Sequence, residues 1–196
     1  MKDLKMLGFA VVTVVALLAF VGTGMASAET TACKDTAGVE CYGKGTEIHA
    51  VLLSGTHATL TPSGFFAEDV TCEFSTLRSS IATQTTPHGN VSQFTLICGN
   101  RVTILSGGTL TIHHEGGHNA NLTWTGFEFE VEQNGLTCTF GGTVAAGMTL
   151  TGGAPAKIDL TATIPGLSGF PCPSSAVLHA EYTVTSPQPL YAVTGI

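Results

Sequence analysis

The sequence predicts an all-β fold, a single-domain β-sandwich of about 10–12 short, mostly antiparallel strands stapled by disulfides. Three observations predict it. The stretch Phe127 to Phe140 reads as two amphipathic strands joined by Asn134-Gly135. Apolar residues alternate with polar ones in short runs separated by Gly, Asn and Pro, and no segment beyond the N-terminus sustains a helical i, i+3, i+4, i+7 pattern. All six cysteines, an even number, lie behind what looks like an export signal, as in small secreted domains that rely on cross-links.

The N-terminus comes first. Lys2 and Lys5 form a basic start, Leu7 to Val21 is apolar apart from Thr13, and Ala26-Ser27-Ala28 is a small-residue cleavage site. This predicts a signal-peptide helix over residues 1–28, cleaved after Ala28, and a secreted domain over 29–196. The apolar run is about 15–17 residues, at or below what spans a bilayer, so no membrane span is expected after cleavage. Removing 28 of 196 residues leaves 168, enough for one good core. The leader takes two lysines and one aspartate with it, leaving five basic and 13 acidic residues, a net charge of −8. Such a surface repels phosphate backbones and excludes nucleic acid as a partner.

Cys33 and Cys41 close a small N-terminal loop. Six cysteines admit 15 pairings, and the sequential set Cys33–Cys41, Cys72–Cys98 and Cys138–Cys172 is the expectation. Cysteine-bound zinc would need closely spaced pairs such as C-x-x-C, and none occurs. Strands are then expected at Thr46 to Leu53, at His57 to Thr61 (ended by Pro62-Ser63-Gly64), at Val70 to Phe74, and at Leu77 to Thr83. Thr85 to Asn90 reads as a loop and Phe94 to Cys98 as a strand. Gly99-Asn100 turns into Arg101 to Leu105, and Ser106-Gly107-Gly108 turns into Thr109 to His113. Asn121 to Thr125 precedes the Phe127–Phe140 hairpin. There Phe127, Phe129 and Val131 face one way and Glu128, Glu130 and Glu132 the other. Asn-Gly supplies the positive φ that a two-residue hairpin turn needs. Thr143 to Leu150 is ambiguous between helix and strand. Ile158 to Ile164 and Leu178 to Val184 are clean amphipathic strands, and Pro187 and Pro189 are expected to hold the tail extended.

Several blocks together resemble a family of uncharacterised secreted actinobacterial proteins. They are Ala32-Cys33 with Cys41 and Gly45-Thr46-Glu47-Ile48, Val70-Thr71-Cys72, Leu150 to Ala156, Phe170-Pro171-Cys172-Pro173-Ser174-Ser175-Ala176, Tyr182 to Pro187, and Pro189-Leu190-Tyr191. The resemblance implies export, disulfides and a β-rich domain. It implies no activity and no catalytic residue.

The sharpest chemical motif is His114-Glu115-Gly116-Gly117-His118, which fits H-E-x-x-H. On a helix, His114 and His118 would share a face and bind zinc, with Glu115 as general base. Two adjacent glycines cost a helix about 2 kcal/mol relative to alanine, and strand patterns flank the motif. A hairpin is therefore expected, and the alternative is a looser loop metal site made by His113, His114 or His118, with or without Glu115. His113 and His114 point to opposite faces of a strand, so at most one of them joins. Glu128, Glu130 and Glu132 stand about 6.5–7 Å apart along a strand, too far for one calcium ion, and read as a solvated face. No G-x-S-x-G elbow is present, and Trp124 joins Leu122 on an apolar face as core. No cofactor is expected. The reading that results is a non-catalytic secreted or cell-envelope-associated binding or structural module, with an envelope, glycan or protein partner. A metal-binding protein or metal-dependent hydrolase using residues 113–118 is the alternative.

Overall fold

The computed structural model describes residues 29–64, 68–99 and 101–195. The expected leader helix over 1–28 lies outside them. Twelve strands follow in order: β1 Thr30–Cys33, β2 Glu47–Leu52, β3 Ala58–Pro62, β4 Val70–Ser80, β5 His88–Cys98, β6 Arg101–Gly116, β7 Asn119–Gln133, β8 Leu136–Val144, β9 Met148–Thr151, β10 Lys157–Pro165, β11 Ser175–Ser186 and β12 Tyr191–Thr194. Every strand pairing is antiparallel. The all-β, antiparallel, disulfide-stapled reading holds.

The pairings refine the sandwich. Ten strands run in the order β10-β9-β7-β6-β5-β4-β2-β11, with β8 on β7 and β3 beside β11 and β4, and β11 pairs back onto β10. The sheet therefore closes on itself, and the two layers of a sandwich become opposite sides of one ring. β2 and β3 lie end to end between β11 and β4. β8 and β9 lie end to end along β7. Ten strands with two shared positions make a ring of eight. An eight-position ring is just wide enough for side chains to fill it. Here they do: Trp124, Phe127, Phe129, Phe140, Leu160 and Leu178 are all essentially inaccessible. Trp124 stacks on Phe127 at 4.2 Å and meets Phe94 edge-on at 4.8 Å. The cavity beside Ile48, Leu77 and Leu110, which opens at Pro87 and His88, measures only about 30 Å³, room for about a water molecule. Tyr182, fully buried, has its phenol pushed up to about 12 by desolvation, and its hydroxyl is paired with Ser75 Oγ at 2.9 Å.

Several local expectations are corrected. Val70–Phe74 and the first part of Leu77–Thr83 are one strand, β4, which ends at Ser80 and has a register shift between Cys72 and Phe74. The loop expected to run to Asn90 gives way to β5 at His88. Ser106-Gly107-Gly108 is no turn but the middle of the 16-residue β6, and Thr125 runs on through Gly126 into Phe127 within β7. The reason is bulging. Gly126 takes φ of 68° at the β7–β8 register shift between Thr125 and Phe127, and the β6–β7 register shifts between Ile104 and Ser106, ahead of Gly108, whose φ is also 68°. A bulge with a left-handed glycine bends and twists a strand without ending it. Gly107 is required for a second reason: a Cβ there would lie 2.3 Å from Val91 O. Thr143–Leu150 resolves as the end of β8, a turn at 145–147 and β9. Residues 187–189 do not hold the tail extended. The chain bends, Leu190 pairs with Gly153, and β12 pairs with β1.

That β1–β12 pair closes one end of the ring. Thr86 N and His114 N donate to Thr30 O and Thr30 Oγ1, at 2.8 and 2.7 Å, and Ala192 N donates to His118 O at 3.1 Å. Ala32, Leu190 and Ala192 complete the core from this side. The sequential disulfides form as expected, Cys33–Cys41, Cys72–Cys98 and Cys138–Cys172, with no free cysteine among the described residues.

Candidate functional site

The H-E-x-x-H segment lies on a hairpin. His113, His114 and Glu115 end β6, Gly117 and His118 make the turn, and Asn119 begins β7. Gly116 and Gly117 both take positive φ, 143° and 60°, which a tight turn uses and a helix forbids. His114 and His118 therefore share no helix face. Both ring nitrogens of His114 are engaged: Nε2 donates to Gly117 O at 3.2 Å, and Nδ1 lies 3.3 Å from Thr194 Oγ1. The carbonyl can only accept, so Nε2 carries a proton and offers no lone pair to a metal. His118 packs edge-on against the Tyr191 ring at 5.7 Å, with Nδ1 buried and unpartnered. His113 and Glu115 are exposed. Among the described residues, no group of three or more His, Cys, Asp or Glu is placed to hold a metal ion. What these histidines do is dock the β6–β7 tip on β12.

The other acidic candidates face outward. Glu130 and Glu132 line a shallow depression on the outer face with Thr103 and Thr137. Asp159, Thr161 and His179 form a short chain across β10 and β11, with Thr161 Oγ1 3.3 Å from Asp159 Oδ1 and 2.8 Å from His179 Nδ1. A nucleophilic triad needs the imidazole between carboxylate and hydroxyl. Here the hydroxyl stands in the middle, on an exposed outer face. Asp35 has a structural task. Its Oδ2 accepts from Glu40 N at 2.6 Å, and its Oδ1 from Val39 N at 3.1 Å and Ala37 N at 2.8 Å. These backbone donors, Glu40 and Val39 foremost, hold its carboxyl below the usual carboxylate range and shape the Cys33–Cys41 loop.

The feature that strand-by-strand reading missed is a groove at the end of the ring away from β1–β12. It is lined by Val131, Leu136, Cys138 and Phe140 of the β7–β8 hairpin, by Pro62, and by Phe170, Pro171 and Pro173, with a volume of about 250 Å³. The 166–174 segment that walls it is tightly held. Cys172 is bonded to Cys138, Leu167 N donates to Thr139 O at 2.8 Å, Thr139 N donates to Ser168 Oγ at 2.9 Å, and Gly166 N donates to Ser174 O at 2.8 Å. On this fixed segment Phe170 is 96% exposed and Leu167 52%, and Leu136 opposite is 42% exposed. A full-length aromatic held in water by a cross-linked loop is unusual for a surface that contacts only solvent. A signal for it does exist in the sequence. No Asp, Glu, Lys, Arg or His occurs from Gln133 to Ala156 or from Leu160 to Leu178, and these two runs supply the groove's lining apart from Pro62 and Val131.

In comparisons with known proteins, no family model, no curated protein and no solved structure matches this chain.

Proposed function

We propose that this chain is an exported, non-catalytic binding module that takes an apolar group of its partner into the groove between the β7–β8 hairpin and the 166–174 segment. The single observation that carries this reading is Phe170, 96% exposed on a segment fixed by a disulfide and beside an apolar groove of about 250 Å³. The filled interior supports it, because a ring packed solid with Trp124, Phe127, Phe129 and Phe140 holds no ligand inside and leaves binding to the surface. The three disulfides fit an oxidising compartment, and among the described residues no helix is long and apolar enough to cross a membrane. Export with cleavage after Ala28, a role at the cell envelope, and membership of the secreted actinobacterial family that the sequence resembles all belong to the same reading.

The test uses an apolar dye as probe. Anilinonaphthalene sulfonate, titrated into dilute purified protein, should show a saturable rise in fluorescence. Leu136→Ser and Phe170→Ser should each abolish the rise and leave the unfolding midpoint unchanged, since both side chains are exposed. Absence of a saturable rise would remove the groove as a binding site. Mass spectrometry of the exported protein should find Glu29 at its N-terminus.

A further inference from the structure

We infer that the occupant of the groove is Phe170 of a second copy of this chain, in a two-fold symmetric dimer; this rests on the groove being a binding site. Three observations carry it. First, knob and hole sit side by side on one face. Phe170, 96% exposed, stands at the rim of the cavity that it lines together with Pro171, Pro173, Leu136, Val131 and Phe140, so most of its ring is free to enter a second copy's cavity. A two-fold axis through such a face seats each knob in the other copy's hole, which is the self-complementarity that an isologous interface requires. Second, the knob is pre-set. The Cys138–Cys172 bond and the hydrogen bonds from Leu167 N to Thr139 O and from Thr139 N to Ser168 Oγ hold the segment. Ordering it on association therefore costs little. Third, the charge distribution permits it. After the leader the chain carries five basic and 13 acidic residues, so two copies repel over most of their surfaces. The runs 133–156 and 160–178, which supply most of the groove's lining, contain no charged residue, and a contact centred there sets few like charges against each other.

Phe170 supplies the large aromatic anchor that dominates interfaces of this kind. Leu167 and Leu136, 52% and 42% exposed, supply the apolar surround.

Sedimentation velocity on the exported protein over a wide concentration range tests the inference. The mass should move from one chain towards two as concentration rises. Phe170→Ser should raise the dissociation constant about tenfold or more, the loss usual for an aromatic anchor. Leu136→Glu, which sets a carboxylate into each uncharged face, should do the same. Val39→Ser, at a side chain 79% exposed in the Cys33–Cys41 loop, should change nothing. Dye binding per chain should fall across the concentrations at which the dimer forms, because dye and Phe170 compete for one cavity. A chain that binds the dye in dilute solution yet stays monomeric at every concentration overturns the dimer and leaves the groove standing as a site for another partner. A dimer unaffected by Phe170→Ser overturns it as well. A dilute monomer that binds no dye removes both readings.

Discussion

Phe129 and Glu130 are neighbours on β7 with opposite fates, and replacing each gives an internal test of the fold. Phe129 is 1% exposed, 5.9 Å from the Phe140 ring and 6.4 Å from Phe127. Truncation to alanine loses about 2 kcal/mol of transfer free energy. It also opens a hole of about 100 Å³ before relaxation, worth about 2.4 kcal/mol at roughly 24 cal/mol per Å³. Phe129→Ala should therefore cost about 4 kcal/mol, within the usual range of about 3–5, and lower Tm by about 8–16 °C. The ring architecture argues against much relaxation, because Phe129 is paired on both sides, to Ile104 on β6 and Phe140 on β8. Glu130 lies between Thr103 and Thr139 on the outer face and is only partly covered. Glu130→Gln should change stability by less than about 0.5 kcal/mol, with any gain coming from relief of its like-charged neighbours Glu128 and Glu132. Urea unfolding of both variants with the disulfides oxidised gives the two numbers. Equal small effects would refute the amphipathic strand. A large loss at Glu130 alone would point to a bound cation or a buried charge pair and reopen the carboxylate row as a functional site.

Other expectations follow from named contacts. Alkylation without reductant should add no mass, and peptide mapping should recover Cys33–Cys41, Cys72–Cys98 and Cys138–Cys172; one alkyl group per molecule at high yield contradicts this. These bridges close loops of 8, 26 and 34 residues, so the chain-entropy model gives about 2.5–4 kcal/mol each, rising with loop length. Elemental analysis of untagged protein should find no stoichiometric zinc; zinc lost on His114→Ala or His118→Ala would restore the metal reading. Asp35 has a lowered pKa in the folded chain, so its contribution is fully present above the unfolded carboxylate value and is lost as pH falls through the lower folded one. The amide signals of Ala37, Val39 and Glu40 should accordingly shift together below about pH 3.8, and Asp35→Asn should remove that transition; a titration at the ordinary carboxylate pKa would refute the capping role.

Local physics made much of this molecule legible before any tertiary contact was known. Alternation placed Phe127, Phe129, Val131, Ile158, Leu160 and Ile164 inward, because a strand sends successive side chains to opposite faces whatever it pairs with. The same rule buried Trp124. The glycines of the His114–His118 segment foretold a hairpin in place of a helix, since positive φ is a property of the residue itself. Glycine also misled. Gly107-Gly108 looked like a turn, and only its neighbours reveal a continuous strand: Val91 O leaves no room for a Cβ at Gly107, and the β6–β7 ladder runs on in one register past Gly108. The four-residue β1 and β12 carry no alternation to read, since Ala32 and Cys33 are buried in succession, as are Ala192 and Val193. They are strands because residues some 160 positions apart in sequence meet, Thr30 against Thr194 and Cys33 against Tyr191. Closure of the ring and the groove have the same origin. Nothing in β10 or β11 alone says that their pairing joins the sheet's two edges, and nothing in Phe170-Pro171 says that Leu136 and Phe140 stand opposite. Sequence settled which way each side chain faces, because that depends on one strand; tertiary structure settled what it faces, because that depends on two.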